Sequence, residues 1–551
     1  MLRSSATRLV TAVRGEGRRQ LSARLTDLHG GRAGAGYART TVRRVPVTVR
    51  LDPALLLERQ RTSFADAVAS VAASARVPFW WVPQPEGAAQ VLCVLLEHRA
   101  ALMAALAARA EPSWYVDGLD PTGAPEQRYL GAAGAAALRS PGLRLWEFVA
   151  PTAGSTFRAD ERQGLTVWFW RPDASQTLTC LVANRVVSTL LASDCAETDR
   201  VPTPLRARPS TRVGFPVDVV YTWVDGDDDT WLLAKARAAG AADPGLFTER
   251  AHDASRFAEH DELRHSLRAL EQFAPWVNHV WVVTADQHPA WLRPDDPWVT
   301  VVSHADIWPD ERGLPTFNSH AIEACLHRIP GLAEHFLYLN DDMVLTRPLE
   351  PENFFHPNGI GKFFQSNALV DHAGRAAGDI ASTTAAKNAR RLLGERYGVT
   401  FSRKFFHTAA ALTVSGLAEL EATFPDVVDR SRQAAFRTVE DVALAGSFYL
   451  NWAFVTGRAV PSRIRYAYID PGAPDARERL GMLLRKRVFD AICVNDGSTA
   501  QTLEQRRQTD RLIREFFAEY LPVPGTFEIG ADATAQTAPG SVRSNRLGSG
   551  K

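Results

Sequence analysis

Four short apolar runs punctuate the middle of this chain: Val217–Val224, His279–Ala285, Val299–Val302 and Phe336–Leu339. They are rich in Val, Tyr, Trp, Leu and Phe, and each is too short for a helix of ordinary length. Between the first and second lies Asp261–Phe273, where Leu263, Leu267 and Leu270 recur on one helical face with Phe273 near it and Phe257 just upstream. Runs that stay apolar without alternating suit strands covered on both sides, as in a parallel sheet flanked by helices. The sequence therefore predicts an α/β core. In such sheets ligands collect beyond the carboxyl ends of the strands. The first run passes there into Asp225-Gly226-Asp-Asp-Asp229, and the last into Asn340-Asp341-Asp342.

Composition narrows the function classes. The 551 residues carry 63 basic and 62 acidic side chains, so no overall field draws the protein to nucleic acid. No GxGxxG or GxxxxGK[ST] loop occurs, which argues against a dinucleotide oxidoreductase or a P-loop enzyme. The five cysteines are scattered, with no CxxC pair, and a reducing, cytoplasmic compartment is the simpler expectation. No apolar stretch approaches the ~18 residues of a membrane-spanning helix.

Residues 1–50 hold eleven arginines against only Glu16 and Asp27. That pattern suits a transit peptide or a segment lying on the inner face of an anionic membrane. It suits equally a solvated tail, because the whole chain has six lysines, the first at Lys235, and Arg takes nearly every basic position. Four stretches separate by composition: a basic, flexible segment over 1–44, an accessory α/β domain over 45–205, a motif-dense region over 213–525, and a low-complexity tail over 526–551. In the accessory domain Val45–Leu51 and Val77–Val82 read as strands, and Leu55–Ala75 and Ala89–Ala108 as helices.

The chemistry concentrates in the third stretch. Two adjacent carboxylates after an apolar strand repel each other unless a cation offsets them. Mg²⁺ takes oxygen ligands, commonly one or two carboxylates together with substrate phosphates. Asn-Asp-Asp is also a good turn, so the pair alone decides nothing. Asp261 and Glu262 stand where negative charge favours a helix start, and they serve equally as caps. Arg264 and Arg268, one turn apart, present planar donor forks that match phosphate oxygens or cover the sheet. The helix predicted over Asn318–Arg328 puts Glu323 and His327 on one face. His407 follows an aromatic patch and titrates near neutrality. Thr438 and Asp441 have capping-box spacing, which places Arg437 just before a helix N-terminus.

Taken together these blocks resemble the Stealth family of sugar-phosphate transferases, which includes bacterial capsular polysaccharide phosphotransferases and the eukaryotic N-acetylglucosamine-1-phosphate transferase. The resemblance is carried by Asp218–Gly226; by Asp261–Arg264 with Ala274–Trp276, Leu314–Asn318 and Tyr338–Asp342; by His407, Arg437 and Glu440-Asp441 with the 444–458 segment; and by Cys493-Val-Asn-Asp496. It spans about half of the chain and leaves residues 1–212 outside. One departure is local: His407 is followed by Thr-Ala-Ala-Ala-Leu412, where the family usually has a proline two residues on.

The resemblance implies a Rossmann-like nucleotide-sugar transferase core that moves hexose-1-phosphate from a UDP-sugar to a glycan acceptor, in capsule or exopolysaccharide synthesis, releasing UMP. Glu323, Asp341 and Asp342 correspond to its acidic cluster, with Mg²⁺ or Mn²⁺ on Asp341 and Asp342. His407 corresponds to its essential histidine and Arg437 to its phosphate-contacting arginine. Tyr221, Thr222, Trp223, Asp225, Asp261, Arg264, Asn340 and Asp441 are the expected substrate contacts. Two other readings stay open: a glycosyltransferase that releases UDP, and an inactive glycan- or nucleotide-binding protein.

Overall fold

Five strands form the central sheet: β1 (Val217–Thr222), β2 (Val280–Thr284), β3 (Val299–Ser303), β4 (His335–Asn340) and, entering from further along the chain, a fifth that is β6 in chain order (Ala410–Thr413). β5 (Met343–Leu345) lies between them in sequence and belongs to a second sheet. The spatial order is β3-β2-β1-β4-β6. The first four strands are parallel and β6 is antiparallel to β4. The chain thus builds outward from β1 to β3, then returns to add β4 on β1's other side. The switch point falls between β1 and β4, where α/β sheets hold ligands. Register fixes the rest: Thr222 pairs with Asn340, so the residues after both strands emerge side by side.

The apolar runs form strands because both their faces are covered. Val219, Tyr221, Val282 and Leu337 pack with Leu263, Leu267 and Leu270 of the helix Glu262–Phe273. Val220, Val283, Phe336 and Tyr338 pack into the opposite layer with Leu417, Leu444 and Trp452. Buried Asp218 sits at the far end of β1, where it accepts from Asn278, Trp281 and the Ala333 amide. It serves the sheet and not the ligand end.

A small second sheet abuts the first. It joins β5 to β7 (Tyr466–Ile469) and β8 (Ala491–Val494) in the order β5-β8-β7. The helix Leu503–Tyr520 covers it, with Phe516, Phe517 and Tyr520 buried against Ile492 and Val494.

This computed structural model describes residues 36–43, 45–84, 90–126, 130–132, 134, 138–241, 260–310, 312–376, 379–495 and 502–530. The basic stretch up to residue 35, Phe257, Asp496, and the tail beyond residue 530 lie outside them. Among the described residues no helix is long and apolar enough to cross a membrane.

Several expectations need correction. Tyr37–Val42 is a strand paired antiparallel with Val45–Leu51, so folded structure begins inside the segment expected to be flexible. Ala89–Ala108 is not one helix. Gln90–Leu95 is a strand running parallel to Leu165–Pro172, and the helix starts at Arg99. Its Val-Leu-Cys-Val-Leu run is buried in an eight-stranded sheet, where aliphatic residues without alternation suit either element. The tail expected from residue 526 starts later, because Phe527 is fully buried beside Leu292 and Trp298 and Glu528 is 2% exposed. The accessory domain also docks on the core: Gln272 donates to the Leu55 carbonyl and accepts from the Leu57 amide.

The helix expected over 318–328 is two pieces, Ser319–Glu323 and a single turn at Leu326–Arg328. The break turns His327 away from Glu323 and onto Glu421, 2.8 Å away. Glu421 also receives Arg432 at 2.6 Å and Arg328 at 2.9 Å, and its side chain is 18% exposed. Burial opposes its charge, but His327 and Arg432 outweigh that and hold its carboxyl at about 2, below the ordinary 4.5. A depressed carboxyl adds stability that is complete above its unfolded value and fades as pH falls toward the folded one. Glu421→Gln is therefore expected to lose on the order of 3 kcal/mol at neutral pH. In urea titrations the gap to wild type should hold steady from pH 7 to 5 and narrow below about 4.5. A gap that persists undiminished at pH 3 would contradict this.

Candidate active site

At the switch point a cleft of about 650 Å³ opens beyond the ends of β1 and β4. Its floor is Asn340, Asp341 and Asp342. Thr222, Trp223 and Val224 line one side, with Ala285, His304 and Phe317. The segment Arg403–Thr408 lines the other, together with Ser382, Ala386, Gly446, Ser447 and Leu450. Glu323 and Arg437 also reach the cleft. The five residues expected to carry chemistry are therefore brought together, although they span 115 positions from Glu323 to Arg437 counted inclusively.

Asp342 is buried and held on several sides. Its Oδ2 accepts from Asn495 Nδ2 at 2.6 Å and from the Cys493 thiol at 3.3 Å. Its amide donates to Asp341 Oδ1 at 3.0 Å. Its Oδ1 is buried without a hydrogen bond and lies 3.3 Å from His407 Nε2. Burial alone raises a carboxyl, but the His407 charge, Asn495 and Cys493 outweigh it and keep the Asp342 carboxyl below its ordinary value. For His407 burial works against protonation, and the negative Asp342 beside it prevails, raising the imidazole. The His407 side chain is 43% exposed and opens onto the cleft.

Glu323 and Arg437 act on each other through their charges. Burial raises the Glu323 carboxyl even with His320 and Arg437 nearby, and its Oε2 is buried without a hydrogen bond. Arg437 donates Nη2 to Ser319 Oγ at 2.6 Å, while its Nε is buried without a partner. Arg437 does not precede a helix. Asp441 closes a turn on Thr438, with its Oδ2 3.1 Å from the Thr438 amide, and helical structure starts only at Leu444.

Asp342, His407 and Cys493 offer three donor atoms within 4.8 Å of one another. They do not suit a soft metal. A thiol binds metal as the thiolate, and burial, reinforced by the Asp342 charge, keeps this one protonated, so that it donates to the carboxylate. What remains is an adjacent acid pair with one buried carboxylate oxygen that meets only the His407 imidazole among the described residues. That donor set fits a hard, oxygen-ligated cation such as Mg²⁺ or Mn²⁺.

Five expected substrate contacts stand outside the cleft lining. Tyr221 is fully buried and shares its hydroxyl with Ser266 at 2.6 Å, because β1 turns it toward the helix Glu262–Phe273. Asp225 lies one residue past the lining, and Gln287 fixes its backbone through two hydrogen bonds of 3.0 Å. Asp261 takes a left-handed conformation (φ 65°) and pairs with Arg514. Arg264 pairs with Glu528 at 2.6 Å and is spent there. Asp441 is buried against Asn318 Nδ2 at 2.8 Å and shapes the wall from behind. Conversely, His260, Glu262, Ser319, Lys404 and Asn495 line the cleft without having been expected there. Asn495, inside the Cys493-Val-Asn-Asp496 block, and Glu262, inside the Asp261–Arg264 block, carried a signal.

Conserved region 1 of the Stealth proteins matches residues 215–243, conserved region 2 matches 256–363 and conserved region 4 matches 481–539. Three conserved regions of the Stealth family are thus matched along this chain. His407 and Arg437 fall between the second and third of these matches. An exopolysaccharide phosphotransferase of Streptomyces coelicolor is 46% identical over 319 residues, which is 57% of this chain and 53% of that protein. The exopolysaccharide phosphotransferase CpsY of Mycobacterium tuberculosis is 36% identical over 324 residues, covering 58% and 60%. The chain thus spans little more than half the length of these Stealth relatives. Among solved structures, the galactosyltransferase LgtC with donor and acceptor sugar analogs aligns over 58% of this chain and 100% of its own, at 11% identity and a TM-score of 0.30.

Proposed function

We propose that this chain transfers hexose-1-phosphate from a UDP-sugar to a hydroxyl of a growing glycan, in exopolysaccharide synthesis. The acceptor oxygen bonds to the sugar-bearing phosphorus. The bond from that phosphorus to the bridging oxygen breaks, and UMP leaves with the electron pair. The product is a phosphodiester. The printed names of the relatives point to a phosphotransferase of exopolysaccharides. The observation that carries the reading is Arg437, a guanidinium that feels the Glu323 charge in the same cleft as the acid pair, with a buried Nε that has no partner among the described residues. Attack on phosphorus builds charge on phosphoryl oxygens and calls for a cation of this kind.

Asp341 and Asp342 would hold Mg²⁺ or Mn²⁺, which supplies charge neutralisation for the diphosphate. The uridine side of the donor lies against Thr222, Trp223 and Val224 on the β1–β2 side. Tyr221, Asp225, Asp261, Arg264 and Asp441 act on that wall only indirectly. The acceptor enters from the side of Lys404 and Phe405, so that His407 meets its hydroxyl and takes the proton. Arg437 stabilises the transferred phosphoryl oxygens, Ser319 Oγ orients it, and the Glu323 charge favours its charged form in a site where burial opposes that charge.

Chromatography of the nucleotide released from a UDP-hexose and a glycan acceptor tests this. UMP, with phosphorus retained in the glycan, is the expected result. UDP with a phosphorus-free product would make the chain a glycosyltransferase and withdraw the role given to Arg437.

A further inference from the structure

Asp342 comes from the end of β4, yet both groups that hold its Oδ2 come from residues 493 and 495, more than 150 positions later. The small sheet brings them there. β5, which begins at the residue after Asp342, pairs antiparallel with β8 so that Met343 faces Cys493. The Val494 amide closes on the Asp342 carbonyl at 3.1 Å. The same sheet carries Tyr466 on β7, whose ring packs 4.7 Å from that of Phe406, the residue before His407. One three-stranded sheet therefore meets both the acidic floor and the histidine segment.

The division of labour on the carboxylate is the informative part. Oδ2 is saturated by a thiol and an amide, whereas Oδ1 is buried and faces only the His407 imidazole, 3.3 Å away, among the described residues. A carboxylate held by one oxygen cannot rotate to expose the other. We propose that Cys493 is a positioning residue: its thiol, acting with the Asn495 amide, clamps Asp342 Oδ2 and so presents Oδ1 as a preset oxygen ligand for the divalent cation. This rests on the reading above that a cation joins Asp341 and Asp342. Cys493 touches neither substrate nor cation and works only through Asp342. Groups that orient a ligating carboxylate typically change metal affinity by about 10–100-fold when removed.

The test is Mn²⁺ binding to the full chain, followed by electron paramagnetic resonance of the free ion, with no donor or acceptor present. Cys493→Ala removes the donor and is expected to weaken Mn²⁺ about 10–100-fold. Cys493→Ser keeps a hydroxyl donor at the same place and should restore most of the affinity. Melting temperatures of the two variants report packing, which both substitutions disturb, so a structural role alone would not separate them. Should Cys493→Ala fail to fold, Cys493→Val fills the space without a donor and takes its place against Cys493→Ser. Mn²⁺ bound as tightly by the donor-less variant as by wild type overturns the clamp and leaves the proposed function standing. Equal losses in the Ser and Ala variants overturn it too, by showing that the donor is not what matters. Wild-type protein that binds no Mn²⁺ overturns the clamp and the cation together.

Discussion

Replacing His407 by alanine is expected to slow transfer by about 10²–10⁴-fold, the range for loss of a general base, with donor binding nearly unchanged. The geometry gives the reason for the split. His407 lies on the segment Arg403–Thr408, across the acid pair from Thr222–Val224, and its exposed ring faces the open cleft. In the proposed function the donor is held by other residues, so removing the imidazole should leave that binding in place. Asp342→Asn is the contrasting case. It loses the charge that serves both the cation and His407, so turnover and Mn²⁺ affinity should fall together. Initial rates and donor titration on the two variants separate the roles. A parallel collapse of donor affinity in His407→Ala would move the histidine to the donor side. Unchanged turnover would mean that the run Ala409–Ala411 marks a site no longer used for proton transfer.

The strands of the core were legible because each is a short apolar run rich in β-branched and aromatic residues and bounded by turn residues, a combination that favours a strand over a helix. The helix Glu262–Phe273 was legible for the complementary reason: its apolar residues recur with helical period, and Leu263, Leu267 and Leu270 are all fully buried. Gln90–Leu95 was not, since a short aliphatic run without alternation suits a buried strand and a buried helix alike. The acid pair, His407, Glu323 and Arg437 were found as motif residues and do share one cleft. What the sequence hid were contacts made at long range. Nothing near Arg264 says that Glu528 will take its guanidinium, and nothing near Asp342 names Cys493. The spacing of Glu323 and His327 misled because it assumed an unbroken helix. Cys325, with φ −117°, ends the regular turn and sends the two side chains to different partners.

The largest loss of stability is expected from Glu528→Ala. Glu528 sits between Arg264 and Arg268, with Arg268 Nε 2.5 Å from its Oε1 and Arg264 Nη2 2.6 Å from its Oε2, and the Gly525 amide adds a third donor at 2.8 Å. Burial would raise its carboxyl, but the two guanidiniums and the amide prevail and lower it. The flanking chain is fixed as well: the Arg293 amide reaches the Phe527 carbonyl at 3.0 Å, and the Ile529 amide reaches Trp291 at 2.9 Å. Arg268 is itself buried, so the alanine variant strands a guanidinium away from water. Removing one partner of a buried ion pair typically costs about 3–5 kcal/mol, because the other charge is left uncompensated. The triad also ties the second conserved region of the family, through Arg264 and Arg268, to the fourth, through Glu528. Asp342 and Cys493 join the same two regions inside the cleft. Glu528→Ala should therefore loosen the segment that carries the small sheet against the core, and activity should fall at temperatures where the wild type still works. Urea denaturation of the full chain measures the loss. A change below about 1 kcal/mol would place Glu528 among ordinary surface ion pairs.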